Sequence, residues 1–137
     1  MMPGNTKNDT IILYGSYGYT GSLIAEECKS KKLAVILAGR NREALQKQSE
    51  STGFPFEVVD LHDASLLGNL LRKGKLLLHC AGPFQFTAEI MLRACLEAGT
   101  HYTDVTGEYQ VFEKLAEYDD QGKKANIMIM PGVGFDV

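Results

Sequence analysis

Glycines at every third position form a loop near the beginning of the chain. Gly15, Gly18 and Gly21 give the spacing G-x-x-G-x-x-G, between a short apolar run and a segment of helical character. We predict that Gly15 permits a tight turn, that Gly18 lets the main chain approach a pyrophosphate, and that Gly21 lets the helix pack on the strand. Free N–H groups at the start of the helix then face the anion. The loop predicts a dinucleotide site formed by Gly15, Ser16, Tyr17, Gly18, Tyr19, Thr20 and Gly21.

A glycine-rich turn that binds nothing is the alternative interpretation of this loop. Three glycines alone are a weak signal. Their position after a strand, before a helix and at the start of an alternating pattern favours nucleotide binding. No Gly-Lys-Ser or Gly-Lys-Thr follows, so the phosphate loop of the nucleoside triphosphatases is excluded.

The end of the second predicted strand indicates which dinucleotide binds. NAD-binding proteins usually carry Asp or Glu there, whereas this chain has Ala-Gly-Arg-Asn-Arg at positions 38–42. The planar donor fork of an arginine suits a 2′-phosphate. We therefore predict NADP(H) in preference to NAD(H), with Arg40 and Asn41 at the site. The missing carboxylate also counts against S-adenosylmethionine.

The ends of the third and fourth predicted strands supply further candidates. Asp60 follows the third strand, at the edge where parallel sheets hold ligands. Its carboxylate can accept from the adenine amino group or cap the next loop. Arg42 is also open, because it can bind the phosphate or pair with Glu43 or Asp60. The fourth strand ends in small residues that let a cofactor pass close to the main chain, with the Cys80 thiol a bystander: Cys80, Ala81, Gly82 and Pro83.

Residues for catalysis are harder to find than residues for binding. His101, Asp104, Thr106 and Glu108 are predicted to cluster at the fifth strand and the loop after it. They are acid/base candidates, but ordinary strand-end polarity is the favoured interpretation. No Tyr-x-x-x-Lys pair and no G-x-S-x-G motif is present. The cysteines and histidines lack the spacing of a metal site, so no metal is predicted.

Apolar runs and amphipathic segments alternate along most of the chain. Strands are predicted over 10–14, 33–38, 56–59, 75–80, 100–105 and 126–130, and helices over 20–31, 42–51, 63–73, 87–98 and 109–124. This order predicts an α/β fold: a Rossmann-type doubly wound sheet of about six parallel strands with helices on both faces. Such a sheet brings the ends of its strands, and the candidates above, to one edge.

Composition and charge narrow the class of protein. The 137 residues carry 14 basic and 17 acidic side chains, a net charge of −3, and 45% are hydrophobic. These values are typical of one globular domain and argue against nucleic-acid binding. No apolar run is long enough for a membrane span. Three widely spaced cysteines predict free thiols and a cytoplasmic location. We expect a flexible leader over 1–9 and the dinucleotide-binding domain over 10–137.

The motifs together resemble a known family. The sequence is similar to the NADP-binding N-terminal domain of saccharopine dehydrogenase-like proteins, including the trans-acting enoyl reductase branch. Ser16 and Tyr17 stand where many relatives have Ala and Thr. The resemblance implies that the glycine loop holds the pyrophosphate, that Arg40 meets the 2′-phosphate, and that the 82–83 turn and the 106–108 loop face the nicotinamide. It is carried by the stretches 13–21, 38–41, 80–84, 98–108 and 131–136.

The resemblance also implies a larger oxidoreductase whose second domain supplies most substrate contacts and the dimer surface. Because the chain stops directly after the sixth predicted strand, we expect an excised N-terminal domain that turns over no substrate alone. The expected function is to bind NADP(H) for hydride transfer to or from a small-molecule substrate. A non-catalytic NAD(P)-sensing module is the alternative, and a homodimer is left open.

Overall fold

A computed structural model describes residues 9–134. The expected leader therefore lies almost wholly outside the described residues, as does the end of the 131–136 stretch. Strands and helices alternate in the predicted order, with one helix more than expected. The strands are β1 (Ile11–Tyr14), β2 (Val35–Gly39), β3 (Phe56–Val58), β4 (Leu76–His79), β5 (His101–Asp104) and β6 (Ile129–Met130). The helices are α1 (Tyr19–Ser30), α2 (Arg42–Thr52), α3 (Ala64–Leu71), α4 (Phe84–Ala98), α5 (Tyr109–Ala116) and α6 (Asp119–Ala125).

All six strands form one parallel sheet in the order β3-β2-β1-β4-β5-β6. The prediction of a doubly wound Rossmann-type sheet is confirmed. The strand order reverses beside β1, because β2 pairs on one side of it and β4 on the other. In open sheets of this kind the crevice at the reversal point, outside the carboxyl ends of the strands, is where ligands bind.

Alternating side chains of β1 supply the two apolar layers of the molecule. Leu13 packs with α1 and α2 residues on one face of the sheet. Ile12 and Tyr14 join a larger cluster with α3, α4, α5 and α6 on the other. Helix ends follow local chemistry: Asp63 caps α3 through the Leu66 amide, as predicted. Gly99 ends α4 in the left-handed region with φ 73°, also as predicted.

Most element boundaries lie within two residues of the sequence predictions, and the three largest differences have a structural explanation. α4 begins at Phe84, directly after Pro83, rather than at residue 87. The single long helix predicted over 109–124 is two helices, and at the break the buried Tyr118 bonds Glu89 and Arg93 of α4. The last strand is shorter than 126–130 because Asn126 ends α6 in the left-handed region with φ 59°, which is incompatible with an extended strand.

Candidate dinucleotide site

A cavity of about 310 Å³ opens at the carboxyl ends of the first four strands. This volume is at the lower end of the range for small-molecule sites. It lies at the reversal point, where the fold places ligands. The cavity brings together segments far apart in sequence; its lining is Tyr14, Gly15, Tyr17, Gly18, Gly39, Arg40, Asp60, Leu61, His62, Cys80, Ala81, Gly82, Pro83 and Thr87.

The fold requires glycine at two of the three loop positions and not at the third. Gly15 has φ +81°, and a Cβ there would lie 2.9 Å from the Ala81 side chain. A Cβ on Gly21 would lie 2.3 Å from the Gly15 carbonyl oxygen, so the fold itself requires glycine at both positions. At Gly18 the nearest atom to an added Cβ is the Gly15 oxygen at 3.6 Å, an ordinary contact. The described chain gives Gly18 no steric reason to be glycine, and the approach of a pyrophosphate to this residue stays a prediction.

The remaining residues of the loop divide between the interior and the solvent. Ser16 is fully buried, and its hydroxyl donates to Gln48 Oε1 at 2.7 Å while Gln48 Nε2 donates to the Ser16 carbonyl. The Ser16 side chain therefore ties the loop to α2. Tyr19 and Thr20 are exposed in the first turn of α1 and do not line the cavity. The first main-chain N–H groups of α1 lack intrahelical acceptors, so they can donate to a ligand.

Tyr17 links the loop to the end of β2. Its hydroxyl accepts from the main-chain N–H groups of Arg40 and Asn41, each at 3.1 Å. Its ring covers Gly39, where an added Cβ would lie 2.6 Å from Cε2 of the ring. No sequence pattern signals this contact, because it joins two segments more than twenty residues apart.

The residues after β2 have different roles. Arg40 is exposed and lines the cavity, and its guanidinium has no hydrogen-bond or ion-pair partner within residues 9–134. Asn41 caps α2, because its Oδ1 accepts from the Ala44 amide at 3.0 Å. Arg42 does not line the cavity, and in the described chain it pairs with neither of the acidic neighbours considered above.

Asp60 is exposed at the rim of the cavity. Its Oδ1 accepts from the His62 amide at 2.9 Å, so it does cap the loop, and Oδ2 remains for a ligand. The Tyr14 hydroxyl donates to the Val59 carbonyl at 2.7 Å beneath it. Burial, and secondly the Asp60 carboxylate, raise the pKa of Tyr14 to about 12. Tyr14 thus keeps its proton and acts as a fixed floor of the cavity, a role that its strand pattern did not signal.

The Cys80–Pro83 segment forms the wall opposite Arg40. Burial, and secondly the Asp104 carboxylate, raise the pKa of the Cys80 thiol to about 12, so it stays protonated and is no nucleophile at neutral pH. All four residues of the segment line the cavity, and the Gly82–Pro83 peptide is cis. A role of this segment through backbone shape stays a prediction.

A buried pair beneath this wall was missed from the sequence. His79 is fully buried, and its Nδ1 accepts from the Ala81 amide at 3.4 Å. Its Nε2 therefore carries the proton and donates to Thr87 Oγ1 at 2.9 Å, and Thr87 lies 3.2 Å from the Ala81 carbonyl oxygen. Burial lowers the pKa of His79 to about 3. The neutral imidazole and Thr87 together hold the 80–83 segment in place.

The predicted cluster on the fifth strand forms only in part: Asp104, Thr106 and Glu108 are linked through main-chain hydrogen bonds, but His101 lies apart from them. His101 begins β5, at the edge opposite the cavity, and its Nδ1 accepts from the Met128 amide. Asp104 is fully buried, and its Oδ1 accepts from the Thr106 and Gly132 amides at 3.1 and 2.8 Å. Its Oδ2 accepts from the buried Tyr102 hydroxyl. Buried and bound by one hydroxyl and two amides, Asp104 organises the edge of the sheet, which favours strand-end polarity over acid/base chemistry.

Two kinds of feature are absent from residues 9–134. These residues contain no group of three or more His, Cys, Asp or Glu side chains placed to hold a metal ion. They also contain no helix long and apolar enough to cross a membrane. None of the three cysteines forms a disulfide.

Comparison with family models identifies the protein family of this chain. The family model described as the saccharopine dehydrogenase NADP binding domain matches residues 11–130. The chain belongs to this family. The predicted resemblance is thereby confirmed, and NADP(H) is the cofactor that the family binds.

Curated relatives and a solved structure agree with this membership. A mouse saccharopine dehydrogenase-like oxidoreductase is 30% identical over 146 residues, which cover 92% of this chain and 34% of the relative. A trans-acting enoyl reductase of Mycobacterium ulcerans is 27% identical over 134 residues, covering 92% of this chain and 32% of the relative. This chain thus spans about a third of the length of these relatives.

The apo saccharopine dehydrogenase (L-Glu forming) of Saccharomyces cerevisiae shows the same fold. Its TM-score is 0.79 at 18% identity, over 92% of this chain and 27% of that one. Identity this low carries the fold alone.

Proposed function

We propose that this chain is the NADP(H)-binding domain of an oxidoreductase that transfers hydride between the nicotinamide and a small-molecule substrate. The observation that carries the proposal is the cavity lined by Gly18. A methyl group added at Gly18 would have its nearest described atom at 3.6 Å, so the space beside this residue is open. NADP(H), when bound, supplies or accepts the hydride at its nicotinamide ring. The relatives bear the names of oxidoreductases and a reductase, and the sensor alternative finds no support among them.

Each wall of the cavity has a proposed part in binding. The Gly15–Gly18 turn and the first amides of α1 hold the pyrophosphate. Arg40 meets the 2′-phosphate, since its guanidinium is exposed on the cavity without a partner in the described chain. Asp60 accepts from the adenine amino group. The 80–83 segment, held by His79 and Thr87, lets the nicotinamide half pass close to the main chain.

The catalytic residues and most substrate contacts are proposed to come from polypeptide beyond these 137 residues. Two observations support this proposal. The relatives are about three times as long as this chain, and the Asp104 carboxylate is already bound by one hydroxyl and two amides. We accordingly expect the 137-residue chain to turn over no substrate alone. Residues 10–137 as the domain, a homodimer of the complete protein and a cytoplasmic location belong to the same proposal.

Gly18→Ala tests the proposal most directly. The added methyl group fits the fold, so the melting temperature should stay within a few degrees of wild type. It occupies the space over the loop, so NADPH affinity should fall at least about ten-fold, near 1.4 kcal/mol. Isothermal titration calorimetry with NADPH measures the affinity.

Gly68→Ala is the matched control. Gly68 lies in α3, away from the cavity, and an added Cβ there would be 3.4 Å from the end of the flexible Arg72 side chain. NADPH affinity should be unchanged in this variant. If wild-type protein binds no NADPH, or Gly18→Ala binds it as tightly as Gly68→Ala does, the proposed site is wrong.

A further inference from the structure

One tyrosine connects the two places where phosphate groups are expected. Tyr17 belongs to the glycine loop, while its hydroxyl bonds the amides of Arg40 and Asn41 at the end of β2. The ring lies against Gly39, where even a methyl group would collide with it. Tyr17, Gly39 and Arg40 all line the same cavity. The contact therefore fixes the turn that carries Arg40 at a set distance from the glycine loop.

The hydrogen-bond capacity of the phenol adds a second consequence. A tyrosine hydroxyl accepts hydrogen bonds through its oxygen and donates one through its proton. The oxygen of Tyr17 accepts from two main-chain amides. Its own proton has no acceptor among residues 9–134 and remains available for an anion at the cavity. Arg40 offers its guanidinium from the same turn, also without a partner in the described chain.

We propose that Tyr17 is a specificity-determining residue, whose hydroxyl makes the site prefer a 2′-phosphate over a 2′-hydroxyl. This inference rests on the proposed NADP(H) function. Tyr17 holds the Arg40–Asn41 turn at the cavity, and its proton and the Arg40 side chain belong to residues that line the same cavity. The pyrophosphate is held by the glycine loop without this hydroxyl, so NADH binding does not depend on it.

Tyr17→Phe removes the hydroxyl and keeps the ring over Gly39. Three probes separate the effects: NADPH, NADH, and 2′,5′-ADP, which carries the 2′-phosphate without a nicotinamide. Calorimetry should show NADPH and 2′,5′-ADP weakened about ten-fold, as for loss of a hydrogen bond to a charged group. NADH affinity should stay within about two-fold, so the NADPH/NADH ratio of affinities falls.

The control is Tyr109→Phe, which removes the same atom from an exposed tyrosine at the start of α5, outside the cavity. All three affinities should match wild type. A double variant that combines Tyr17→Phe with Arg40→Ala distinguishes a role in selectivity from a structural role. Its readout is whether the losses of NADPH/NADH selectivity add. If Tyr17 acts through the Arg40 turn, the two losses of selectivity are less than additive.

The outcomes distinguish the inference from the function on which it rests. If wild-type protein binds neither NADPH nor 2′,5′-ADP, the proposed function fails. If wild type prefers NADPH and Tyr17→Phe keeps that preference, only the inference fails. An equal loss for NADPH and NADH would show that Tyr17 merely shapes the loop. A rise in selectivity would show that the phenol competes with the phosphate for the two amides, and either result overturns the proposal.

Discussion

The carboxyl edge of the sheet is used in two different ways. At the ends of β1, β2 and β3, polar groups such as the Arg40 guanidinium are exposed on a cavity, and Gly18 leaves space that no described atom requires. At the end of β5, Asp104 is fully buried and bonds one hydroxyl and two amides. The first region is suited to binding a ligand, and the second to holding the fold.

The contrast teaches that a polar residue at the end of a strand is not by itself a site. Within residues 9–134, no buried side-chain nitrogen or oxygen lacks a hydrogen-bond partner. The interior polar groups are therefore structural, and binding depends on groups that remain exposed. If this division is correct, substitutions in the two regions must change different measured quantities.

Asp104→Ala should have the largest effect on stability. The substitution leaves the buried Tyr102 hydroxyl and the Thr106 and Gly132 amides without their acceptor. Loss of a buried charged acceptor costs about 4 kcal/mol of unfolding free energy, which urea denaturation measures. Asp104→Asn keeps one oxygen at the position that both amides use, and should lose less than half as much. A loss below about 1 kcal/mol for Asp104→Ala would contradict the structural role.

His79 should make stability depend on pH. Burial lowers its pKa from 6.5 to about 3 in the folded chain, so between these values the unfolded chain binds the extra proton. Stability is therefore full above about pH 6.5 and falls as the pH drops towards 3. The contribution of His79 at pH 5 is a loss of about 2 kcal/mol relative to pH 7.5.

Urea denaturation at the two pH values measures this effect. His79→Gln should reduce the difference between pH 7.5 and pH 5 by about the same 2 kcal/mol, because the variant has no imidazole to protonate. His62→Gln, which removes an exposed histidine, should leave the difference as in wild type. An unchanged difference in His79→Gln would mean that the imidazole is hydrated or paired when charged.

The same division explains what the sequence could predict. Alternating apolar runs and helical segments are local patterns, and so the six strands, their parallel order and the strand-end positions of Gly15, Arg40, Asp60 and Cys80 follow from them. The roles of individual loop glycines need the positions of atoms on other segments. Gly21 is required by the Gly15 carbonyl, whereas Gly18 has no such neighbour.

The contacts that were missed join segments distant in the chain. The Tyr17 hydroxyl at the Arg40 and Asn41 amides depends on how the loop packs on β2. The His79–Thr87 pair depends on the turn before α4. His101 was placed on the wrong edge because its strand starts there rather than ends there. A residue's type predicts which bonds it can make, but only the packed chain determines whether its own neighbours already make them.

Arg40→Ala should have the smallest effect on the free energy, and an effect on binding alone. The guanidinium is exposed and makes no bond within the described chain, so the unfolding free energy should stay within about 0.5 kcal/mol of wild type. NADPH affinity should fall about ten-fold, near 1.4 kcal/mol, while NADH affinity is unchanged. Calorimetry with both nucleotides measures the preference.

Two further arginine variants sharpen this result. Arg72→Ala removes the same charge from the end of α3, at the opposite edge of the sheet, and should change neither affinity. Arg42→Ala tests the neighbouring guanidinium, which does not line the cavity. If Arg40→Ala keeps the full preference for NADPH while Arg42→Ala loses it, the 2′-phosphate meets the first turn of α2 instead. The comparison of the two regions would then still hold, because the binding group would again be an exposed one.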